Sequence, residues 1–283
     1  MKHFATSWLW NRFEITRPHN LAVAALTVLA GWVAAGGNGW ALLLPACLAS
    51  VLVAAAGNVI NDCFDARIDG INKPRRPIPS GRMTVAECRR YYLFLTVLAL
   101  VSAAISGSLM LRVTLAWTLL LFLYSAFLKT RFLWGNLTVS LVCASGFPVG
   151  AALAGNPQAG VLPAILAFFF LMGREIVKDV EDLPGDVSAG ATTLAWRLGA
   201  RRALSVALLC FLAFAVMIPW PYWAELCNRR YLLIMLALAL PLLAWASWLM
   251  MRDSSPRSLV RVSWILKVDM FVAVLGFWFG LAR

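Results

Sequence analysis

Apolar run length constrains this chain more than any other feature. A helix crosses a bilayer core with about 20 mostly apolar residues. Nine stretches approach that length: 20–36, 41–60, 91–107, 109–128, 133–153, 160–178, 202–219, 230–249 and 262–281. Only 13% of the 283 residues are charged, against about 25% in a soluble domain. Mean hydropathy is +0.78. A water-soluble globule is excluded, and the expected fold is all-α: one polytopic membrane domain filling residues 1–283. The connections are mostly tight, as at Gly36-Gly37-Asn38-Gly39, and no linker or low-complexity tract divides the chain.

Charge sets the expected orientation. With the N-terminus inside, 21 of the 25 Lys and Arg fall on the cytoplasmic side, among them Lys2, Arg12, Arg17 and Lys267. Arg112, Arg229, Arg230 and Arg283 fall outside. This follows the positive-inside rule, so the net charge of +12 points to loops and anionic headgroups rather than to nucleic acid. The six cysteines, at 47, 63, 88, 143, 210 and 227, form no CxxC pair and are expected to be reduced, structural thiols. The first twenty residues are polar and basic, which is not the pattern of a cleavable signal peptide. Nothing in the sequence sets an oligomeric state.

Eight of the 13 acidic residues fall in two stretches. One runs from Asn58 to Asp69 after the second apolar span, the other from Arg174 to Asp186 after the sixth. Each is expected at a membrane helix end, opening into the polar loops 61–90 and 179–201. On a helix, Asn61, Asp65 and Asp69 stack in one column, joined by Asp62. In the second stretch Glu175, Asp179 and Asp182 share a face, and Asp186 follows the break at Pro184-Gly185. Like charges four residues apart repel, by about 0.2–0.5 kcal/mol per pair, and a helix C-terminus disfavours anions. Something cationic must compensate. The plain candidates are nearby Arg and Lys in solvated loops. The alternative is Mg²⁺, a hard cation that takes one or two carboxylates together with substrate phosphates.

The basic stretch Asn72-Lys73-Pro74-Arg75-Arg76-Pro77-Ile78-Pro79-Ser80-Gly81-Arg82 follows the first acidic motif. Its prolines stiffen a non-helical loop that presents groups suited to phosphate: Arg bidentate, Lys as a point charge. Alone it reads equally well as a positive-inside anchor. Beside two carboxylate clusters it reads as half of a metal–diphosphate site.

These residues resemble the UbiA superfamily of intramembrane prenyltransferases. Asn61-Asp62-x-x-Asp65-x-x-x-Asp69 with Asn72-Lys73-Pro74 and Arg76-Pro77-Ile78-Pro79-Ser80-Gly81 is similar to that family's first motif. Lys178-Asp179-x-x-Asp182-x-x-Gly185-Asp186 is similar to its second, and Tyr124-Ser125-x-x-Leu128-Lys129 with Gly135-Asn136 to the pattern between them. Within the superfamily, the stretch from Arg174 to Asp186 and the Ala191-Thr192-Thr193-Leu194 tail most resemble the digeranylgeranylglyceryl phosphate synthases. The resemblance implies helices around a central cavity open sideways to lipid, with a cytoplasmic cap. It implies Mg²⁺-dependent prenyl transfer from a polyprenyl diphosphate, with a geranylgeranyl donor and a lipid-phosphate acceptor such as geranylgeranylglyceryl phosphate. Arg174 stands where many members carry Tyr, which favours an acceptor bearing its own phosphate.

Asn61, Asp65, Asp69, Asp182 and Asp186 are the expected metal ligands, with Asp62 and Asp179 as ligands or their supports. Asp65, Asp182, Lys178 and Tyr124 are the expected catalytic groups. Arg67, Lys73, Arg75, Arg76, Lys129, Arg174, Lys178 and Asn136 are the expected substrate contacts. Tyr124 and Phe64, in or beside motifs, are the aromatic faces best placed for an allylic cation. His3 and His19 are expected at the surface and Glu225 in a solvated loop, while Asp269 is a buried acid paired with an Arg or touching the cavity. Two other functions compete: the same chemistry on an aromatic acceptor, and cation-coupled secondary transport. Transporters bind ions near the bilayer midplane between broken helices, and the acids here sit at helix ends.

Overall fold

The computed structural model describes residues 2–188 and 190–281, with side chains from Trp8 onward. Arg283 and the side chains of Lys2 and His3, used in the reading above, lie outside the described residues. The chain forms α1 (Lys2–Ile15) and α2 (Pro18–Ala34). Eight longer helices follow: α3 (Leu43–Asn72), α4 (Val85–Ser106), α5 (Ser108–Leu128), α6 (Trp134–Leu153), α7 (Pro157–Glu181), α8 (Ala200–Trp223), α9 (Arg229–Arg252) and α10 (Pro256–Gly280). Those eight are long and apolar enough to cross a membrane, and α2, with 17 residues, supplies the shorter ninth span.

Local chemistry starts and stops these helices. Thr84 and Glu87 form a reciprocal capping box at the head of α4, satisfying two of the orphan N–H groups there. Gly107, at φ 119°, turns the chain from α4 into α5, a conformation that only glycine adopts cheaply. Ser255 caps α10 with Pro256 in its first turn. One boundary departs from expectation. The polar segment after residue 60 is not loop but the last turns of α3, which runs 30 residues and so extends about 45 Å. That exceeds the roughly 30 Å hydrocarbon core, so α3 carries the whole first acidic motif beyond it.

The helices close into a ring. Consecutive helices from α2 to α10 pack together, α3 also meets α5, α7 meets α10, and α10 returns to α2. Across the ring, α2 and α6 touch backbone to backbone. A Cβ on Gly31 would collide with the Phe147 carbonyl, and one on Gly150 with that of Val28. Small residues permit this close approach between membrane helices. Buried Phe170, Phe211, Phe214, Leu243, Leu266 and Phe277 fill the seams among α7–α10. The outer faces are apolar as well: Leu93, Phe94, Val97, Val101 and Ile105 of α4, and Leu209, Leu212 and Val216 of α8, are exposed. Such a surface belongs in lipid, and the chain is an integral, multi-pass membrane protein. All six cysteines are free.

Candidate active site

The two acidic motifs meet at one end of the ring. Asn72, at the last turn of α3, donates from Nδ2 to the Asp182 carbonyl at 2.8 Å, and its Oδ1 accepts from the Gly185 N–H at 3.0 Å. Lys73 Nζ pairs with Asp182 Oδ2 at 2.7 Å. A Cβ at Gly185 would strike the Asn72 amide, so this position takes no side chain. The contacts span 110 residues of sequence. A short parallel ladder, Arg131 with Thr192 and Phe132 with Thr193, adds a second tie between the loops after α5 and α7.

Every acid of the first motif has a cationic partner, and the expected single column divides into two. Asn61 Nδ2 donates to Asp65 Oδ2 at 2.8 Å, and Lys129 pairs with Asp65. Arg76 reaches Asp69 at 2.5 Å and Asp62 at 3.3 Å, while Arg17 pairs with Asp62. The plain expectation of Arg and Lys partners is thus met, but inside the fold: Asp62, Asp65 and Asp69 are only 3%, 8% and 4% exposed. The helix geometry explains the division. Residues seven apart return to within about 20° of each other, so Asp62 and Asp69 share Arg76.

The second motif is neutralised more locally. Glu175 accepts from Arg174 at 2.5 Å and from Lys178 at 3.1 Å. Asp179 accepts from Asn136 Nδ2 at 2.8 Å. Asn136 is therefore occupied with a carboxylate and does not line the cavity. Lys129, between the motifs, is held by close packing: a Cβ at Gly135 would come 2.7 Å from the Lys129 Cα. Burial lowers the Lys129 ammonium to about 8 and raises the Asp186 carboxyl to about 6, with Asp182 adding to the latter. Burial also lowers Lys73.

Below this polar end lies a cavity of about 440 Å³, enclosed by α2, α3, α5, α6, α7 and α10. Asn61, Asp62, Lys73, Arg76, Tyr124, Arg174 and Lys178 line it, together with Glu14, Arg17 and His19. Tyr124 opens a single π-helical turn, Tyr124–Leu128, at the end of α5, a local irregularity common at functional sites. A smaller, nearly all-apolar chamber of about 70 Å³ shares Val23, Thr27, Cys143, Leu171 and Met270 with the first and runs on to Phe214, Tyr231 and Phe277. The pair of spaces offers charged groups at one end and hydrocarbon beyond.

Several expected residues stand elsewhere. Arg67 and Arg75 are exposed on the outer surface, away from the cavity, because α3 turns Arg67 outward and the loop presents Arg75 to solvent. Phe64 is 43% exposed and packs edge-on against Phe122 at 5.8 Å, facing out of the ring. His19 is not a surface residue but part of the cavity wall, since Pro18 starts α2 inside the ring. Lys267 lies within α10, as the span 262–281 leads one to expect, and on the same cavity wall. Asp269 is fully buried, and neither of its oxygens has a hydrogen-bond partner or an Arg among the described residues. Arg17 and Asn72 were not singled out as site residues. Repulsion along the acidic face demands a cation beside Asp62, but nothing local in the sequence marks position 17 as its source.

No three His, Cys, Asp or Glu among the described residues stand close enough to form a metal site by themselves. The donor set nevertheless fits Mg²⁺. It is all oxygen, it joins carboxylates from two helices, and Asn61 Oδ1 is buried with no partner. Magnesium needs only one or two carboxylates when a diphosphate supplies further oxygens.

Comparison with known proteins agrees with this architecture. Residues 22–275 match the model of the UbiA prenyltransferase family. Digeranylgeranylglyceryl phosphate synthase of Korarchaeum cryptofilum is 36% identical over 264 residues, 93% of this chain and 94% of that protein. The Methanopyrus kandleri enzyme of the same name is 37% identical over 266 residues, 93% of this chain and 96% of its own. A solved structure concerned with digeranylgeranylglyceryl phosphate synthase superposes with a TM-score of 0.73 at 29% identity, covering 96% of this chain and 98% of the other. A UbiA homolog from Archaeoglobus fulgidus bound to GPP and Mg²⁺ shares the fold, with a TM-score of 0.68 at 16% identity over 94% and 99% of the two chains.

Proposed function

Since the chain belongs to the UbiA prenyltransferase family, we propose that it moves a geranylgeranyl group from its diphosphate to the hydroxyl of a lipid-phosphate acceptor such as geranylgeranylglyceryl phosphate. The observation that carries the chemistry is the clasp of Asn72 and Lys73 on Asp182 and Gly185, which joins both acidic motifs above a cavity polar at one end and apolar below. The acceptor class rests on the similarity to digeranylgeranylglyceryl phosphate synthases over most of both chains.

Asn61, Asp65, Asp69, Asp182 and Asp186 would hold Mg²⁺ in this reading. When bound, the metal neutralises charge growing on the departing diphosphate. Lys73, Arg76, Lys129 and Lys178 add fixed positive charge at the same end, which favours the leaving group as it forms. Asp62 keeps Arg17 and Arg76 in place, and Asn136 fixes Asp179. The allylic C–O bond breaks with its electron pair going to diphosphate. A new C–O bond forms from the acceptor hydroxyl, whose proton is released. The carbon chain runs from the cavity past the apolar residues it shares with the smaller chamber and on toward lipid, and Tyr124, on the cavity wall, presents a ring to the allylic cation. In this reading that end of the ring, with the N-terminus, faces the cytoplasm, which the positive-inside charge asymmetry supports.

The test is purified protein with Mg²⁺ and geranylgeranyl diphosphate, offered geranylgeranylglyceryl phosphate, 4-hydroxybenzoate or a naphthoate. Product is expected from the lipid phosphate. Product from an aromatic acceptor alone would overturn the acceptor assignment and leave the donor chemistry standing.

A further inference from the structure

Six Lys and Arg side chains line the main cavity: Arg17, Lys73, Arg76, Arg174, Lys178 and Lys267. Five have a carboxylate oxygen within 4.0 Å, and Lys267 is the sixth, with none among the described residues. It also lies inside an apolar span, eleven residues into α10, roughly 16 Å below that helix's start. A charged group at membrane depth is costly, and it usually pairs within the bundle or marks a substrate path. Glu181 and Glu175 of α7 face the same cavity, neither within ion-pair distance of Lys267. Glu181 accepts from Ser263 at 2.5 Å, and Glu175 is shared by Arg174 and Lys178. Asp269, two residues along the helix, points to a different face and does not line the cavity. The contact that Lys267 does make is with a ring: its Nζ stands 4.4 Å from the Trp264 centroid.

Two more basic groups share this wall. His19 on α2 lines the same cavity as Lys267 and Arg174. Arg174, one turn deeper on α7 than Lys178, gives Nη1 to Glu175 and leaves Nε buried with no partner. Lys267 has no acid within ion-pair distance among the described residues and Arg174 keeps one buried N–H group free, whereas the cations at the end of α3 are each matched by an acid. The donor diphosphate is already provided for by Lys73, Arg76 and Lys129.

We infer that Lys267, His19 and Arg174, meeting where α2, α7 and α10 close the ring, form a second anion site that holds the phosphate of the acceptor. The inference rests on the acceptor class proposed above. It supplies what that acceptor needs: a charge-assisted site separate from the diphosphate, so that the two phosphates do not share one pocket and the hydroxyl is steered toward the allylic carbon. Arg can grip a phosphate with two N–H groups while Lys adds a point charge.

The test uses the full chain in detergent or nanodiscs with Mg²⁺ and geranylgeranyl diphosphate. K267M keeps the side-chain length without charge, K267R restores the charge, and H19Q probes the neighbouring wall. K267M is expected to raise KM for geranylgeranylglyceryl phosphate about tenfold or more, to leave KM for the donor within about twofold, and to spare the residual use of the dephosphorylated glycerol ether. K267R should recover most of the loss, and H19Q should show a smaller rise in the same acceptor KM. An unchanged acceptor KM in K267M, or a donor KM that rises equally, would overturn the second site while wild-type turnover upholds the acceptor class. Wild-type protein that accepts aromatics alone would remove both.

Discussion

The two acidic motifs have similar spacing and different surroundings. The first lies wholly within a continuous helix, and its acids are neutralised from afar by Arg17, Arg76 and Lys129. The second straddles a helix end. Its upstream acid, Glu175, is matched by Arg174 and Lys178 on its own helix, while Asp182, capping α7, is reached among the described residues by Lys73 from the first motif's loop. A local ion pair survives small shifts of the ring. A remote one requires that the ring be closed. The first motif is therefore an indicator of tertiary assembly, and the second carries part of its compensation with it.

Four experiments test that contrast. Chelation with EDTA should abolish prenyl transfer and added Mg²⁺ should restore it, read as radiolabelled product; EDTA-insensitive turnover would exclude the metal role of both motifs. D65A and D182A should each lower kcat by about 10²–10³-fold, the scale of removing one group that stabilises developing charge, with the protein still folded by size-exclusion chromatography. If only one of them mattered, the two motifs would not act as one site. N72A should remove two hydrogen bonds, about 0.5–1.5 kcal/mol each, lowering Tm and weakening donor binding together. A loss of stability with no change in donor KM would make the clasp structural only. R82A should have the smallest effect. Arg82 holds Glu14 at 2.5 and 2.9 Å near the surface, an interaction of about 0.2–1 kcal/mol, so donor KM should rise by no more than a few-fold.

Much of the molecule follows from the primary structure. Unbroken apolar stretches in a chain with few charges leave little but membrane helices, because backbone polar groups in lipid are satisfied within each helix. The acidic spacing and the basic proline loop likewise point to diphosphate chemistry, since residue type and helical period decide what one face presents. The end of α3 was less legible. Its polar tail looks like loop, yet it stays helical because Arg17, Arg76 and Lys129 cancel the repulsion along it, and none of these is nearby in sequence except Arg76. Arg67, Arg75 and Phe64 satisfy the motif as letters and face outward as side chains. His19 looks like a surface residue in one dimension and becomes part of the cavity wall once α10 packs against α2. Run length, charge and helical period thus set the helices, the membrane and the chemical class of the site. Which charges meet depends on how the ring closes, because pairing between residues a hundred positions apart leaves no trace in local periodicity.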